Sequence, residues 1–87
     1  MNLKNYRFVI WLADDSRDIV DLSNAVYEAG GDDMLFGSTD HVLCATVNRQ
    51  ATSLDEAIES ACTTMQAAGL QVVRVELRMD DLRVAVA

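Results

Sequence analysis

Strand-like and helix-like patterns alternate along this chain in the order β–α–β–β–α–β. Apolar strand formers occupy Arg7 to Ala13, and Ile19, Leu22, Val26 and Ala29 then recur at helical spacing. A pattern of this kind requires each later strand to return to the sheet through a helix or a turn. The order of elements therefore restricts the chain to a small number of folds.

Local signals mark the ends of the second helix. Ser53 followed three residues later by Glu56 forms a capping box, which predicts that the helix begins there. Gly69 ends it. The stretch QVVRVELRM follows with strict alternation, which predicts a strand with an apolar face (Val73, Val75, Leu77, Met79) and a charged face (Arg74, Glu76, Arg78).

The first helix is bounded less sharply. Asp18 suits its first turn, and the candidate N-caps precede that residue: Asp14, Asp15 and Ser16. Gly30 and Gly31 end the helix. Two strands around a turn are then predicted, with the turn formed by Gly37, Ser38, Thr39 and Asp40.

Two right-handed crossovers arrange these elements as a ferredoxin-like βαββαβ sandwich. The prediction is an α+β fold with a four-stranded antiparallel sheet and two helices on one face. The 87 residues form one domain, with a core over about residues 6–79 and a tail over 80–87.

The net charge of −7 excludes several classes of partner. An acidic chain repels nucleic-acid phosphates and anionic lipid surfaces, so we expect no direct nucleic-acid binding and no membrane binding. The apolar run FVIWLA is too short to span a membrane. Cys44 and Cys62 have no paired spacing, as expected of reduced thiols, and the predicted location is the cytoplasm.

No motif in the chain predicts a catalytic, cofactor or metal site. Asp32 and Asp33 lack the alternate oxygen ligands and closing glutamate of a calcium loop, so we interpret them as part of a solvated turn. The aspartates around the start of the first helix suit its dipole. His41 is the only histidine and has no nucleophile motif to serve. We therefore predict no cofactor and no enzyme activity.

The stretches LSNAVYEAGGDDMLFGS, SLDEAIESA and GLQVVRVE resemble those of a group of small bacterial proteins. Those proteins have an N-terminal βαββαβ module followed by a helix-turn-helix segment. The resemblance covers roughly Arg7 to Leu82 and implies a regulatory or interaction module, of transcription-regulator or antitoxin type. The sequence stops at Ala87 without such a segment, so no DNA-contacting residue is implied.

Three functions are compatible with these observations. The first is a non-enzymatic self-association and regulatory module, and the second is a small-molecule sensor of ACT type, although the loop after the first strand lacks the usual glycine. The third is a small enzyme that uses Asp40 and His41. We favour the first, with the ACT-like domain as the alternative.

Alternation along the strands predicts an interface on the sheet face that the helices leave uncovered. A tryptophan among small apolar residues, rimmed by charge, is typical of an interface. The predicted interface residues are Val9, Trp11, Cys44, Thr46, Val72 and Arg74. We expect a homodimer, closed by packing of the two open sheet faces or by pairing of edge strands.

Overall fold

A computed structural model describes residues 3–77. Six elements follow one another along the chain: β1 (Lys4–Leu12), α1 (Ile19–Glu28), β2 (Met34–Thr39), β3 (Val42–Ala51), α2 (Leu54–Ala67) and β4 (Val72–Glu76). The strands form one antiparallel sheet in the order β2-β3-β1-β4. This arrangement confirms the predicted ferredoxin-like βαββαβ fold. The predicted positions of Arg78, Met79 and the tail lie outside the described residues.

The central strand β1 positions the core. Its residues Phe8, Ile10 and Leu12 are at most 2% exposed and face the helices. From the other elements, residues such as Leu22, Val26, Val47 and Met65 pack around them. The alternation predicted for β1 is confirmed, since side chains at successive positions of a strand point to opposite faces.

Helix α1 begins later than the predicted caps. Asp18 is the N-cap, and its carboxylate accepts a hydrogen bond from the Val20 amide at 2.6 Å. Asp15 cannot fill that role because its carboxylate is held by Arg17. The helix ends as predicted before Gly30, which adopts a φ of 101°.

Half of the predicted capping box is formed at the start of α2. The Ser53 hydroxyl accepts a hydrogen bond from the Glu56 amide at 3.2 Å, so Ser53 is the N-cap. The Glu56 carboxylate, however, accepts a hydrogen bond from the Thr52 hydroxyl. Gly69, with a φ of 84°, follows the end of this helix as predicted.

The hairpin between β2 and β3 turns at a different place from the one predicted. The register runs to Thr39↔Val42, which leaves Asp40 and His41 as the two turn residues. Both have positive φ, 52° and 66°, as a two-residue turn matched to the sheet twist requires. The predicted turn at Gly37–Asp40 is therefore wrong, and Gly37 lies within β2.

Strand β4 contains an irregularity that changes its predicted faces. Trp11 pairs with Arg74, but Leu12 pairs with Val72, so Val73 is an extra residue on the β4 side. Val72 consequently packs against the core, whereas Val73 is 61% exposed. The prediction placed Val72 on the open face and Val73 inside, and the bulge reverses both.

Candidate docking surface on the open face of the sheet

The helices cover one side of the sheet, and the four strands present a second set of side chains on the other. We call this second side the open face. It is defined by residues that alternate with the buried ones: Val9, Trp11, Leu35, Gly37, Cys44, Thr46, Arg74 and Glu76. Each strand of the sheet contributes two of them.

Trp11 lies at the centre of a fixed cluster on the open face. Its indole Nε1 donates a hydrogen bond to Glu76 Oε1 at 3.1 Å. The Arg74 guanidinium carbon lies 4.8 Å from the centroid of the indole ring, in cation–π geometry. Arg74 Nη2 is in turn 3.8 Å from Glu76 Oε1. The three side chains therefore hold one another, and the ring is oriented before any partner arrives.

Small and apolar residues lie next to this cluster. In the β1–β3 register Cys44 is opposite Trp11, and Gly37 is opposite Cys44 on β2. In the neighbouring row Leu35 is 75% exposed. A Cβ at Gly37 would meet nothing within 4 Å. A partner can therefore approach the tryptophan across this side without a steric barrier.

A shallow depression of about 270 Å³ lies at the hairpin end of the open face. It is lined by Trp11, Leu12, Asp40, Val42, Val73 and Arg74. Val42 and Val73 are both exposed, so the lining of the depression offers mainly carbon surface. The depression can accept an apolar side chain next to the indole.

Five of the six predicted interface residues lie on the open face, and Val72 does not. Sequence reasoning missed the contributions of Leu35 and Val73; it placed Glu76 on the same face as Arg74 but did not predict its contact with Trp11. Leu35 follows from the alternation of β2 once the turn is placed at Asp40 and His41. The role of Glu76 as acceptor for the indole depends on a contact between residues 65 positions apart, for which the sequence has no local signal.

The acidic residues are concentrated away from the open face. Both helices carry exposed carboxylates, at positions such as Asp21, Glu28, Asp55 and Glu59. Among the eight residues that define the open face the one carboxylate is Glu76, which is paired with Arg74 and Trp11, and Asp40 borders the depression at the hairpin end. Among the described residues this face therefore carries less negative charge than the helix side, and it is suited to contact with another protein.

A second polar cluster, on the helix side, has a structural role. Arg49 binds Asp33 through two nitrogens, at 2.7 and 2.9 Å, and its side chain is only 12% exposed. It also donates to Ser60, Thr64 and the Gly30 carbonyl. The guanidinium thereby ties β3 to α2 and to the loop before β2. All three of its nitrogens have partners among the described residues, and Asp33 already neutralises its charge.

Arg17 and Asp15 form the corresponding tie at the other end of the helices. The guanidinium holds the Asp15 carboxylate by two hydrogen bonds at 3.0 Å and donates to the Ala68 carbonyl at the end of α2. The hydrogen bonds from Arg17 lower the pKa of Asp15 from 3.8 to about 2. This pair fixes the loop between β1 and α1.

The structure brings together no alternative chemical site from the remaining candidates. Within residues 3–77 no group of three or more histidine, cysteine, aspartate or glutamate side chains is placed to hold a metal ion. Asp40 and His41 are exposed in the hairpin turn. Neither Cys44 nor Cys62 forms a disulfide within residues 3–77, and burial raises the pKa of Cys62.

Comparison with known families decides what kind of protein this is. Residues 5–82 match the model of the CagE, TrbE, VirB family, described as a component of the type IV transporter system. The chain belongs to this family. No curated protein and no solved structure gives a significant match.

Membership of the CagE, TrbE, VirB family corrects the functional prediction. A transporter component is neither a transcription regulator nor an antitoxin, so the prediction of a regulatory module is wrong. The family match also replaces the ACT-like alternative. The expectation of no membrane binding also conflicts with a family of transporter components. The family description does not mention a helix-turn-helix segment, so that resemblance stays a prediction.

Neither helix among the described residues is long and apolar enough to cross a membrane.

Proposed function

We propose that this chain is a docking module of a type IV transporter component, and that its open face binds another protein of the same transporter. The observation that carries the proposal is the Trp11 cluster. Its oriented indole lies on the open face with small and apolar residues beside it. Tryptophan and arginine are the residues most enriched among those that dominate binding energy at protein interfaces. The role is binding, and Glu76 and Arg74 supply its polar contacts.

Pre-organisation supports this role. A free tryptophan side chain loses rotamer freedom when a partner immobilises it, which costs binding free energy. Here the hydrogen bond to Glu76 and the stacked Arg74 already restrict the indole. The partner therefore meets a ring that is already in place, next to the depression lined by Val42 and Val73.

The occupant that we propose is a different component rather than a second copy. Two copies of a chain with net charge −7 repel each other, whereas a neutral or basic component does not incur that cost. The homodimer expected from the sequence is the alternative. The mass of the chain alone in solution distinguishes a homodimer from a monomer that awaits a different component. The acidic charge and the two cysteines outside any disulfide favour a position on the cytoplasmic side of the transporter.

Co-purification with defined partners tests the proposal. The tagged chain is co-expressed with each other protein of its transporter in turn, and the mass of every recovered complex is measured by light scattering. We expect one of these proteins to be recovered with the wild type and lost with Trp11→Glu.

The matched control is Tyr27→Glu, which adds the same charge at an exposed aromatic residue of α1 on the helix side. It should retain the partner. Equal recovery with Trp11→Glu would contradict the proposal. A complex that consists of two copies of this chain, lost with Trp11→Glu, would instead support the homodimer.

A further inference from the structure

The outer edge of β2 is a second surface that the fold leaves without a partner. The sheet order β2-β3-β1-β4 places β3 on one side of β2 and no described strand on the other. An uncovered strand edge presents free backbone donors and acceptors, which makes it a template for another strand. We propose that this edge binds an extended segment of a partner protein, with alternating apolar residues and basic residues at its ends.

The register shows which backbone groups are available. The Asn48 amide donates to the Asp33 carbonyl at 3.1 Å, so Asp33 and Asn48 form a hydrogen-bonded pair. Such pairs alternate along an antiparallel ladder, so Leu35 and Gly37 also direct their backbone groups toward β3. The amides and carbonyls of Met34, Phe36 and Ser38 consequently point to the outer edge.

Strand β2 lacks the features that usually protect an edge. Its sequence MLFGST contains no charged residue and no proline, and its pairing with β3 is continuous over six residues without a bulge. Leu35 is 75% exposed, and a Cβ at Gly37 would meet open space. An added strand can therefore place an apolar side chain beside Leu35 and over Gly37.

The charges at the two ends of β2 define the chemistry of the partner. Asp32 precedes the strand and Asp40 follows it, and both are exposed. Asp33 is already neutralised by Arg49. A second copy of β2, paired antiparallel about its centre, would bring the Asp40 end of each copy to the Asp32 end of the other, which is unfavourable. Lysine or arginine at both ends of the added segment would instead be attracted.

The test uses a synthetic peptide of alternating valine and threonine with lysines at both ends. It is titrated into the isotopically labelled chain, and amide hydrogen exchange is followed residue by residue. We expect slower exchange at Met34, Phe36 and Ser38 and little change at Leu35 and Gly37. A peptide with glutamates in place of the lysines should bind at least about tenfold more weakly.

A matched pair of variants separates backbone pairing from other contacts. Ser38→Pro removes an amide that points to the outer edge, and proline is tolerated at such positions of edge strands. Ser38→Ala removes the hydroxyl but keeps the amide. We expect Ser38→Pro to weaken binding at least about tenfold and Ser38→Ala to leave it within about twofold. Circular dichroism establishes that both variants are folded.

The inference would be overturned if the peptide did not bind at millimolar concentration, or if both Ser38 variants bound it equally. It would also be overturned if the same amides were already protected in the free chain and the free chain had the mass of a dimer. The inference does not rest on the Trp11 cluster. Trp11→Glu should leave peptide binding unchanged, so failure at one surface is distinguishable from failure at the other.

Discussion

The indole of Trp11 donates a hydrogen bond to the carboxylate of Glu76 across the β1–β4 pair, at 3.1 Å. Because Trp11 is the only tryptophan in the chain, its fluorescence reports on this contact directly. Local sequence patterns cannot predict this contact, because the two residues lie 65 positions apart in the chain. It therefore offers the first test of the geometry that the functional proposal uses.

Glu76→Ala should release the indole and expose it to water. We expect a red shift of tryptophan emission, easier quenching by acrylamide, and a loss of about 0.5–1.5 kcal/mol in the free energy of unfolding, the usual net contribution of one hydrogen bond, because solvent screens the charge of the partly exposed Glu76. Glu28→Ala, at an exposed carboxylate on α1, should change stability by less than about 0.5 kcal/mol and leave the emission unchanged. Identical spectra for the two variants would show that the contact is not maintained in solution.

Ser53→Ala should lower the free energy of unfolding by about 1 kcal/mol, the usual cost of a lost N-cap. Ser53→Gly should lower the free energy of unfolding by only about 0.3 kcal/mol, because glycine is itself acceptable at an N-cap. Urea unfolding monitored by circular dichroism measures both. An unchanged midpoint for Ser53→Ala would mean that α2 begins elsewhere.

Removal of Arg49 should be more costly, because Asp33 would remain part-buried without its partner. We expect Arg49→Met to lower stability by about 2 kcal/mol. Arg49→Lys keeps the charge but cannot bind the carboxylate through two nitrogens, and about 1 kcal/mol should be lost. Equal stability of Arg49→Met and the wild type would contradict the structural role of this cluster.

The Asp15–Arg17 pair predicts a pH dependence of stability. The pKa of Asp15 is lowered from 3.8 to about 2 in the folded chain, so the ionised carboxylate stabilises the fold above pH 3.8. That contribution should disappear as the pH falls from 3.8 toward 2. The stability difference between the wild type and Asp15→Asn should therefore shrink over this range in urea unfolding. A difference that stays constant would show that Arg17 does not hold Asp15 in solution.

The two thiols should react at different rates. Burial raises the pKa of Cys62, which lowers its thiolate fraction, whereas Cys44 lies on the open face. Labelling with a thiol reagent, followed by mass spectrometry, should modify Cys44 first. A bound partner should slow the labelling of Cys44 and leave Cys62 unaffected. Equal and rapid labelling of both would contradict the register of β3.

The order of elements and the in–out alternation of β1 could be predicted because both depend on local periodicity. The start of α1 could not, since Asp15 is taken by Arg17, whose position depends on the distant Ala68 carbonyl. The hairpin turn was predicted too early because glycine is typical of turns, whereas Gly37 lies within β2. The bulge at Val73 likewise depends on how β4 pairs with β1, which has no signature within the strand itself.

The transporter family could not be predicted from the residues for a related reason. The docking proposal rests on a tryptophan, small residues and one exposed ion pair, and none of these features is specific to one function of the fold. The match over residues 5–82 identifies the family.

Affinity for the component recovered by co-purification tests the docking proposal most directly. Isothermal titration calorimetry should be performed with the wild type, Trp11→Glu and Tyr27→Glu. We expect Trp11→Glu to raise Kd at least about 30-fold, the loss of about 2 kcal/mol that a central interface residue carries, and Tyr27→Glu to leave it within about twofold. A Kd for Trp11→Glu equal to that of the wild type would contradict the assignment of the open face as the docking surface.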